Sequence, residues 1–327
     1  MTTVSVIIVN YRGWRHLNTC LDSLSKINAD IYQLETIVID NFSNDGKLDE
    51  FQRRFPTVRF IQNTGNNGFS NGCNLGVAHA NGDYLLFMNS DIIANAEAIW
   101  GMVDTIERDP GITLLSCSQQ NSSGRKEHPY GLFPDLLTLN GLPRAFYKMA
   151  KGSELKDRFQ AEKELIYPDW VSGSVMMISA DNFRKTNGWC DDYWLYYEDV
   201  EFCWNVREIG GEVALTRQFS MIHNHGGATR INPRTTALTK AEVRISKHVF
   251  VSRHFSGLKA FLMHFMTAAG FLIGNLFVAL LSLPLFFVPK LNAYGRLYLN
   301  VLSNYISAIR YRTWVSPRSV NYQKYSE

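Results

Sequence analysis

An acidic cluster embedded among aromatic residues is the part of the sequence best suited to proton transfer. Residues 194–204 read WLYYEDVEFCW, so Glu198 and Asp199 have rings on both sides. Carboxylates beside apolar rings lose solvation, and the resulting rise in pKa suits them to act as a general base near neutral pH. A simpler interpretation, in which Asp199 caps a helix and the rings are ordinary core residues, fits this segment equally well.

Further polar residues directly follow predicted β-strands. Asn10 follows the run VSVIIV, Asp40 follows ETIVI, and the tripeptide Asn-Ser-Asp that ends at Asp91 follows YLLFM. The carboxyl ends of parallel strands form one edge of a sheet, where open α/β sheets bind ligands. There Asp40 could accept a hydrogen bond from a base or ribose, and Asp91 could hold a divalent cation against a diphosphate. Each residue alone is also typical of a turn.

A glycine-rich stretch, NTGNNG at residues 63–68, lies between two of these strands. It is not a P-loop, because it lacks the ending Gly-Lys-Ser/Thr. Asn67 and Gly68 fit close approach of the backbone to a ligand and a tight turn equally well.

The segments that carry these residues alternate between strand and helix patterns. Strands are predicted at 4–9, 35–39, 58–62 and 84–88, and helices at 14–26, 48–55, 69–80 and from the cap Asn95 to before Pro110. This order indicates a doubly wound α/β sheet. Residues 119–169 contain four prolines and lose the pattern, and two more strands, 170–178 and 212–216, surround a helix that opens at the acidic cluster.

Charge is distributed unevenly along the chain. Residues 1–254 carry 26 Lys and Arg against 29 Asp and Glu, whereas residues 255–327 carry seven against the single acid Glu327. A basic and apolar tail suggests anionic lipid headgroups as a partner, and no nucleic-acid-binding motif accompanies it. The five scattered cysteines contain no C-x-x-C pair, which is typical of free thiols in a reducing cytosol.

The apolar part of the tail is long enough to reach across a bilayer. Residues 268–288 are almost wholly apolar, and a helix rises ~1.5 Å per residue against a hydrocarbon layer of ~30 Å. Asn275, Ser282 and Pro284 interrupt the run, and basic residues flank both ends. A single span, a helical hairpin, an in-plane helix and a buried core helix therefore stay open, and residues 294–311 are expected to form an amphipathic interfacial helix.

Taken together, the motifs resemble the inverting glycosyltransferases of the GT-A fold, family two, particularly their bacterial rhamnosyltransferase-like branch. The matching pieces occur in the right order across residues 4–230. They are VSVIIVNY at 4–11, VIDNFSNDG at 38–46, NNGFSNGCN at 66–74, FMNSD at 87–91, VSGS at 171–174, YYEDVE at 196–201 and IHNHGG at 222–227.

This resemblance implies a role for each matching position. Asp199 would be the base that deprotonates the acceptor hydroxyl, with Glu198 and Asp191 as the alternatives. Asp91, in an Asn-Ser-Asp element that replaces the usual D-x-D, would bind Mn²⁺ or Mg²⁺ together with His223 or, alternatively, His225. The implied nucleotide-sugar-binding residues are Asn10, Tyr11, Arg12, Asp40, Asn41, Asn67, Gly68, Asn74, Asn89 and Asp91.

The resemblance also implies an architecture and a cellular role. A GT-A domain at 1–254, with a nucleotide-sugar-binding half at 1–118 and an acceptor-binding half at 119–254, would precede a membrane-associating helical region at 255–327. The protein would act at the cytoplasmic face of the inner or plasma membrane, moving a sugar from a nucleotide donor to a polyprenyl-diphosphate-linked saccharide in surface polysaccharide synthesis.

Two other functions remain open on the sequence alone. One is nucleotidyl transfer to a sugar phosphate, and the other is non-catalytic binding of a nucleotide or sugar at the membrane. Glycosidases fit poorly, because their paired acids cleave with water and need no nucleotide crevice.

Overall fold

The computed structural model describes residues 1–28, 32–160, 162–224 and 232–326. The chain divides into two compact units, each assembled from three segments. The first consists of Met1–Leu132, Lys156–Cys190 and Asp199–Gly227, and the second of Phe133–Leu155, Asp191–Glu198 and Ala228–Glu327. The predicted boundaries after residues 118 and 254 stay predictions.

The first unit is built on β-strands. β1, with the sequence TVSVIIVN, is buried along most of its length, as expected for a strand covered on both faces of a sheet. The strands are β1 (Thr3–Asn10), β2 (Gln33–Asp40), β3 (Arg59–Gln62), β4 (Tyr84–Asn89), β5 (Ile92–Ile93), β6 (Ile112–Gln120), β7 (Tyr130–Gly131), β8 (Leu165–Ile166), β9 (Trp170–Val171), β10 (Val175–Ser179) and β11 (Glu212–His223).

Within the described residues, nine strands form one sheet in the order β3-β2-β1-β4-β10-β6-β11-β5, with β8 beside β11. The pairs β3–β2, β2–β1, β1–β4 and β6–β11 are parallel. β10 runs antiparallel to β4 and β6, as β5 and β8 do to β11. The predicted α/β class with a mostly parallel sheet is therefore confirmed, and β7 and β9 pair separately.

Helices cover this sheet and make up most of the second unit. Asn95 caps α4 as predicted, because its side chain accepts a hydrogen bond from the Ala98 N–H at 2.8 Å. The helices are α1 (Trp14–Leu24), α2 (Leu48–Arg54), α3 (Phe69–Val77), α4 (Ala96–Arg108), α5 (Gly141–Ala150), α6 (Gly152–Arg158), α7 (Ala180–Lys185), α8 (Glu198–Glu208), α9 (Pro233–His254), α10 (Gly257–Leu281), α11 (Pro289–Tyr311) and α12 (Gln323–Ser326).

The structure corrects the predicted elements in three places. The single strand predicted at 170–178 is two strands, β9 and β10, because Ser172-Gly173-Ser174 leaves the ladder between them. The strand predicted at 212–216 continues to His223, with an irregular register between Thr216 and Ser220. β6, which pairs with both β10 and β11, was not predicted, and it extends to Gln120 into the region expected to be irregular.

The second unit has its own apolar core between α9, α10 and α11. Ala237, Ala241 and Ile245 at helical spacing on α9 pack with Leu297 and Val301 on α11. The predicted apolar run appears as α10, which ends at Leu281 shortly before Pro284, and α11 restarts at Pro289, as expected from the missing proline N–H. The C-terminal region is therefore helical, as predicted.

α10 has the length and composition needed to cross a membrane. It is the one helix among the described residues that meets this criterion. It has 25 residues, and its most apolar 18-residue window has a mean hydropathy of 1.7 and is 11% buried. A single helix of this kind is only weak evidence of membrane association, since core helices can share the same composition.

Candidate active site

The first group of candidate residues lies where β1 and β2 end side by side. Asn10 and Asp40 are register partners, and the Asn10 Nδ2 donates to Asp40 Oδ1 at 3.3 Å. The buried Asp40 carboxylate also accepts from the backbone N–H of Ser43 at 2.9 Å and from its hydroxyl. Ser43 in turn accepts from the Arg12 N–H at 2.8 Å, so one network holds the loops that follow both strands.

A second network connects the amides that follow β2 and precede α3. The Asn41 Nδ2 donates to the Gly68 carbonyl at 2.8 Å, and the Asn63 Nδ2 donates to Asn41 Oδ1 at 2.9 Å. Asn67 donates to Asn63 Oδ1 at 3.2 Å. Gly68 has φ +93°, a conformation that would be strained for a residue with a side chain. The glycine-rich stretch is therefore a tight turn, held by side-chain amides, at the carboxyl edge of the sheet.

Three other predicted nucleotide-binding residues differ in their surroundings. The Asn74 amide both donates to and accepts from the Trp189 backbone, at 2.8 and 3.0 Å, so it braces the fold. Tyr11 has the Arg12 guanidinium over its ring at 5.3 Å. Asn89 ends β4 opposite Val9 of β1, and its N–H donates to the Ser174 carbonyl at 3.0 Å.

Asp91 and His223 are brought together by strand pairing. β5 pairs with β11 with His223 opposite Ile92, and the His223 Nε2 lies 3.3 Å from Asp91 Oδ1. On its other side, the His223 Nδ1 lies 3.3 Å from Glu127 Oε2. A proton on Nδ1 directed at Glu127 would leave Nε2 unprotonated, as a metal ligand must be, and a carboxylate behind a metal-binding histidine is a usual arrangement. The alternative, His225, lies outside the described residues.

The pair fits a divalent cation only in partnership with a substrate. Within the described part of the chain, no three His, Cys, Asp or Glu side chains form a group that could hold a metal ion. Asp91 and His223 together offer one carboxylate and one imidazole, and both Mn²⁺ and Mg²⁺ take up further oxygen ligands. Diphosphate oxygens would have to complete such a coordination shell.

Asp199 is positioned by main-chain donors. Its Oδ2 accepts from the Gly173 N–H at 3.1 Å and its Oδ1 from the Val200 N–H at 2.9 Å. Burial raises the pKa of the Asp199 carboxyl above its ordinary value, and these two N–H donors offset part of the rise. The break between β9 and β10 therefore allows the Gly173 N–H to donate to Asp199.

Aromatic rings lie close to Gly173, the residue that donates to the Asp199 carboxylate. A Cβ placed on Gly173 would lie 3.3 Å from the Asp199 Cβ and 3.6 Å from the Phe69 ring. Trp189 meets Phe69 edge-on at 5.5 Å and stacks on Phe202 at 4.5 Å. Phe69 and Trp189, which lie outside the segment 194–204, therefore add to the aromatic surroundings expected from that segment.

The two alternative acids, Glu198 and Asp191, belong to the second unit. Glu198 is buried at the start of α8. Asp191 is partly buried, and its backbone carbonyl accepts from the Ser319 hydroxyl at 2.6 Å. Which of the three acids acts as the base stays a prediction.

Sequence reasoning missed three residues of these networks. Ser43 holds Asp40, and Glu127 lies against His223. The buried Gln119 accepts from the Ser174 hydroxyl at 2.9 Å, while its Nε2 has no partner among the described residues. Ser43 could have been found as the third residue after Asp40, a common turn position, whereas nothing local distinguishes Glu127 or Gln119.

This is an α/β protein in which several of the candidate site residues lie at the carboxyl edge of parallel strands, the edge at which open α/β sheets bind ligands. The chain belongs to glycosyl transferase family 2, whose family profile matches residues 5–185. It is therefore an inverting glycosyltransferase that uses a nucleotide-sugar donor and a glycan acceptor, and the resemblance noted from the motifs is confirmed.

Three curated relatives align over most of the chain. The low-salt glycan biosynthesis hexosyltransferase Agl10 of Haloferax volcanii is 24% identical over 68% of this chain and 67% of its own. The rhamnosyltransferase WbbL of Escherichia coli is 25% identical over 67% and 83%. The N-acetylglucosaminyl-diphospho-decaprenol L-rhamnosyltransferase of Mycobacterium tuberculosis is 22% identical over 77% and 85%.

Solved structures support the GT-A fold. The mannosyltransferase PcManGT of Pyrobaculum calidifontis, solved with GDP-Man and Mn²⁺, has a TM-score of 0.54 at 15% identity over 94% of this chain and 86% of its own. GalNAc-T7, solved with UDP, GalNAc and Mn²⁺, also has a TM-score of 0.54, at 17% identity. That match covers 77% of this chain and 50% of GalNAc-T7. At these identities the likeness concerns the fold alone.

Proposed function

We propose that this enzyme transfers a hexosyl or rhamnosyl residue from a nucleotide sugar to a saccharide linked to polyprenyl diphosphate, in the synthesis of a surface polysaccharide. The names of the three relatives, two rhamnosyltransferases and a hexosyltransferase, one of them acting on a decaprenol diphosphate, support the substrate classes. The single observation that carries the mechanism is the Asp199 carboxylate, which has a raised pKa and is fixed by the Gly173 N–H.

In the proposed reaction, Asp199 accepts the proton of an acceptor hydroxyl as its oxygen attacks the anomeric carbon. The new carbon–oxygen bond forms on the face opposite the leaving group, and the bond to the nucleoside diphosphate breaks with its electron pair on the diphosphate oxygen. General-base assistance of this kind contributes ~10²–10⁴-fold to the rate. Asp199 would be regenerated when the proton passes to solvent.

Asp91 and His223 are the residues we propose for the diphosphate side. A divalent cation held there would stabilise the negative charge that develops on the leaving nucleoside diphosphate. The 3.3 Å separation of Asp91 Oδ1 and His223 Nε2 supports a shared ligand. Because Mg²⁺ prefers oxygen ligands, the imidazole favours Mn²⁺ of the two.

The two amide and carboxylate networks are proposed to shape the nucleoside pocket. Asp40 already accepts hydrogen bonds from Asn10 and Ser43, so its main contribution would be to hold the loop after β2. In that loop Phe42 has φ +59° and a ring that remains exposed. A nucleobase could stack on such a ring, since aromatic faces accept any base.

The C-terminal helices are proposed to bind the cytoplasmic face of a membrane. Large apolar side chains on α10, on α11 and in the loop between them are exposed: Leu258, Phe261, Phe265, Ile273, Leu276, Phe277, Leu280, Leu283, Phe286, Phe287, Leu299, Leu302, Ile306 and Ile309. The described part of 255–327 contains no acidic residue. Exposed apolar area combined with positive charge is complementary to a bilayer that contains anionic lipid.

A cavity at the end of this surface supports contact with phosphate headgroups. It has a volume of about 440 Å³, and Arg234 from α9 and Arg296 from α11 line it together with Phe286 and Phe287. The Arg296 Nε donates to Asn292 Oδ1 at 2.6 Å, which orients the guanidinium. Two guanidinium groups beside exposed rings suit a lipid phosphate whose chains continue into the bilayer.

The test is a transfer assay with a panel of nucleotide sugars and a synthetic saccharide on a short polyprenyl diphosphate. We expect one donor to give a product one sugar larger, with release of a nucleoside diphosphate and inverted anomeric configuration by NMR. A parallel reaction with the same saccharide on a simple alkyl group would show whether the lipid diphosphate matters. Absence of transfer from every donor, or retention of configuration, would contradict the proposal.

Of the two alternative functions, neither is favoured by a particular observation. Family membership assigns glycosyl transfer, and nucleotidyl transfer would release pyrophosphate in the same assay. A protein that only binds would produce no nucleoside diphosphate from any donor, with or without Mn²⁺.

A further inference from the structure

The segment that leads into the proposed catalytic base has an unfavourable backbone conformation. Residues 191–198 belong to the second unit and continue directly into α8, whose second residue is Asp199. Tyr196 and Tyr197 both have φ +68°, in the left-handed region that bulky residues avoid. Two such residues in succession keep this conformation only where their surroundings hold them there.

One set of contacts to this segment comes from α9. The Ser246 hydroxyl donates to the Leu195 carbonyl at 2.9 Å, directly before the two tyrosines. The Phe250 ring meets the Tyr197 ring at 6.2 Å. The Arg253 Nη1 pairs with Asp192 Oδ2 at 2.7 Å, and the Asp192 side chain is largely buried.

The other set comes from residues 316–321, which we name the C-terminal strap. The Ser319 hydroxyl donates to the Asp191 carbonyl at 2.6 Å, and the Asn321 Nδ2 donates to Asp192 Oδ1 at 2.8 Å. The Arg318 guanidinium lies over the Trp194 ring at 5.8 Å. Three neighbouring strap residues therefore touch three residues of one eight-residue segment, more than a hundred positions earlier in the chain.

The strap itself is fixed to α9 by a buried ion pair. The Arg318 Nη1 lies 2.9 Å from Glu242 Oε1, and the Glu242 side chain is completely buried. Burial raises the pKa of Glu242, and the charge of Arg318 and a hydrogen bond from Ser316 counteract this rise. The pair makes the strap a part of the folded core of the second unit instead of a loose terminus.

We propose that Arg318, Ser319 and Asn321 are positioning residues for sugar transfer, which hold residues 191–198 in the conformation that sets the start of α8 and thereby the Asp199 carboxylate. The proposal rests on the proposed role of Asp199. None of the three residues contacts a reacting atom in this scheme. In this scheme the strap acts only through the base, so it should influence the transfer step and leave donor binding unchanged.

The primary variant is the double substitution Ser319→Ala/Asn321→Ala. It removes two hydrogen bonds to residues 191 and 192 and leaves Asp192 paired with Arg253, so no buried charge loses its partner. A second variant, Arg318→Ala/Glu242→Gln, removes both charges of the buried pair at once, because Arg318→Ala alone would leave the Glu242 charge buried and endanger folding. Ser256→Ala is the matched control, since Ser256 is exposed and makes no side-chain bond at the cap of α10.

For both double variants we expect kcat for transfer to fall by about ten- to a hundredfold, the effect of a misplaced catalytic group. The donor Kd by calorimetry should stay within about twofold of the parent value. A looser segment also gives water access to Asp199, so the acid limb of the kcat–pH profile should move to lower pH, which a general loss of folded protein would not cause. The control should match the parent in all three measurements.

The proposal would be overturned if the folded Ser319→Ala/Asn321→Ala variant kept the parental kcat and the parental acid limb of the kcat–pH profile. A loss of donor affinity as large as the loss of kcat would overturn it as well. The Asp199→Asn variant separates this result from failure of the proposed function. If Asp199→Asn is inactive while the strap variants are normal, only the positioning role is wrong. If Asp199→Asn retains near-parental turnover, the assignment of the base is wrong, and the strap has no base to position.

Discussion

At the scale of single residues, the Asp199 carboxylate is held by two main-chain amides, from Gly173 and Val200. Main-chain donors are a rigid support, because their positions depend on the fold and not on side-chain rotamers. They also favour the charged form, while burial favours the neutral form and prevails, so the pKa is raised. The raised pKa makes this carboxylate a better proton acceptor, once ionised, than an ordinary aspartate.

Replacing Asp199 by Asn should therefore reduce transfer by ~10²-fold or more while donor binding persists, because the shape is kept and the base is lost. Steady-state kinetics and calorimetry with the donor measure the two effects. Asp181→Asn, at an exposed aspartate on α7, serves as the control. Near-parental turnover of Asp199→Asn would move the assignment to Glu198 or Asp191.

The pH dependence of transfer follows from the same residue. Only ionised Asp199 accepts a proton, so kcat should rise with pH through its pKa. An ordinary Asp titrates near ~3.9, and the raised pKa of Asp199 places the midpoint of this limb higher. Single-turnover rates between about pH 4 and pH 8 would locate it. A midpoint at or below the ordinary value would be inconsistent with a desolvated base.

At the scale of secondary structure, strand pairing decides which acidic and basic groups meet. β11 continues past an irregularity at Thr216–Ser220 and pairs with β5, and this places His223 next to Asp91. Had β11 ended at Thr216, as its early residues predict, the imidazole would lie elsewhere. The proposed cation site is thus a property of two strands, each contributing one ligand.

Asp91→Ala and His223→Ala should each abolish the stimulation of nucleoside diphosphate binding by Mn²⁺, because each removes one of the two proposed protein ligands. Glu127→Gln should weaken the stimulation by ~10–100-fold, since it alters only the group that orients the imidazole. Calorimetric titrations with and without Mn²⁺ measure this. Unchanged Mn²⁺ dependence in Asp91→Ala would make Asp91 a turn residue.

The cap of α4 gives a stability prediction at this scale. Asn95 accepts from the Ala98 N–H, and its Nδ2 donates to the Ser220 carbonyl of β11 at 2.9 Å. Asn95→Ala should lower the free energy of unfolding by ~1–2 kcal/mol. Asn95→Ser keeps an N-cap acceptor and loses the bond to Ser220, so its cost should be smaller, ~0.5–1.5 kcal/mol. Urea denaturation of both variants distinguishes the two contributions, and equal losses would refute the capping role.

At the scale of the whole molecule, the C-terminal helices both form a core and present an exposed apolar surface. α9 and α11 enclose the core of the second unit, while the outer faces of α10 and α11 remain apolar and exposed. Deleting residues 255–327 would uncover Ala237, Ala241 and Ile245 of α9 and would remove the strap. Surface substitutions are therefore the cleaner test of membrane binding.

Phe286→Ser/Phe287→Ser should reduce flotation of the full chain with vesicles of phosphatidylglycerol and phosphatidylcholine, because these rings are 64% and 69% exposed and line the arginine cavity. Arg234→Ala/Arg296→Ala should reduce binding to the anionic vesicles more than to pure phosphatidylcholine, by ~1 kcal/mol per charge. Ile209→Ser, at an exposed apolar residue of the first unit, is the control. Equal flotation of all variants would exclude this surface as the site of contact.

Much of the first unit could be predicted from local patterns. Runs such as VSVIIV, with polar residues directly behind them, indicate buried parallel strands and the edge at which a ligand binds, and Asn95 marks the start of a helix. These features depend on side-chain shape and on hydrogen bonds within a few residues, so the sequence shows them directly. The motifs at Asn10, Asp40, Asp91 and Asp199 were sufficient to indicate the family for the same reason.

Other features depend on contacts between distant segments, and only the tertiary structure shows them. β6 occupies the interior of the sheet without a distinctive pattern, because its place is decided by pairing with β10 and β11. Glu127 reaches His223, and the strap reaches residues 191–198, across about a hundred intervening positions. Such contacts arise from packing and strand register, which depend on the whole fold. No local property of Glu127, Gly173 or Arg318 therefore indicates them in the sequence.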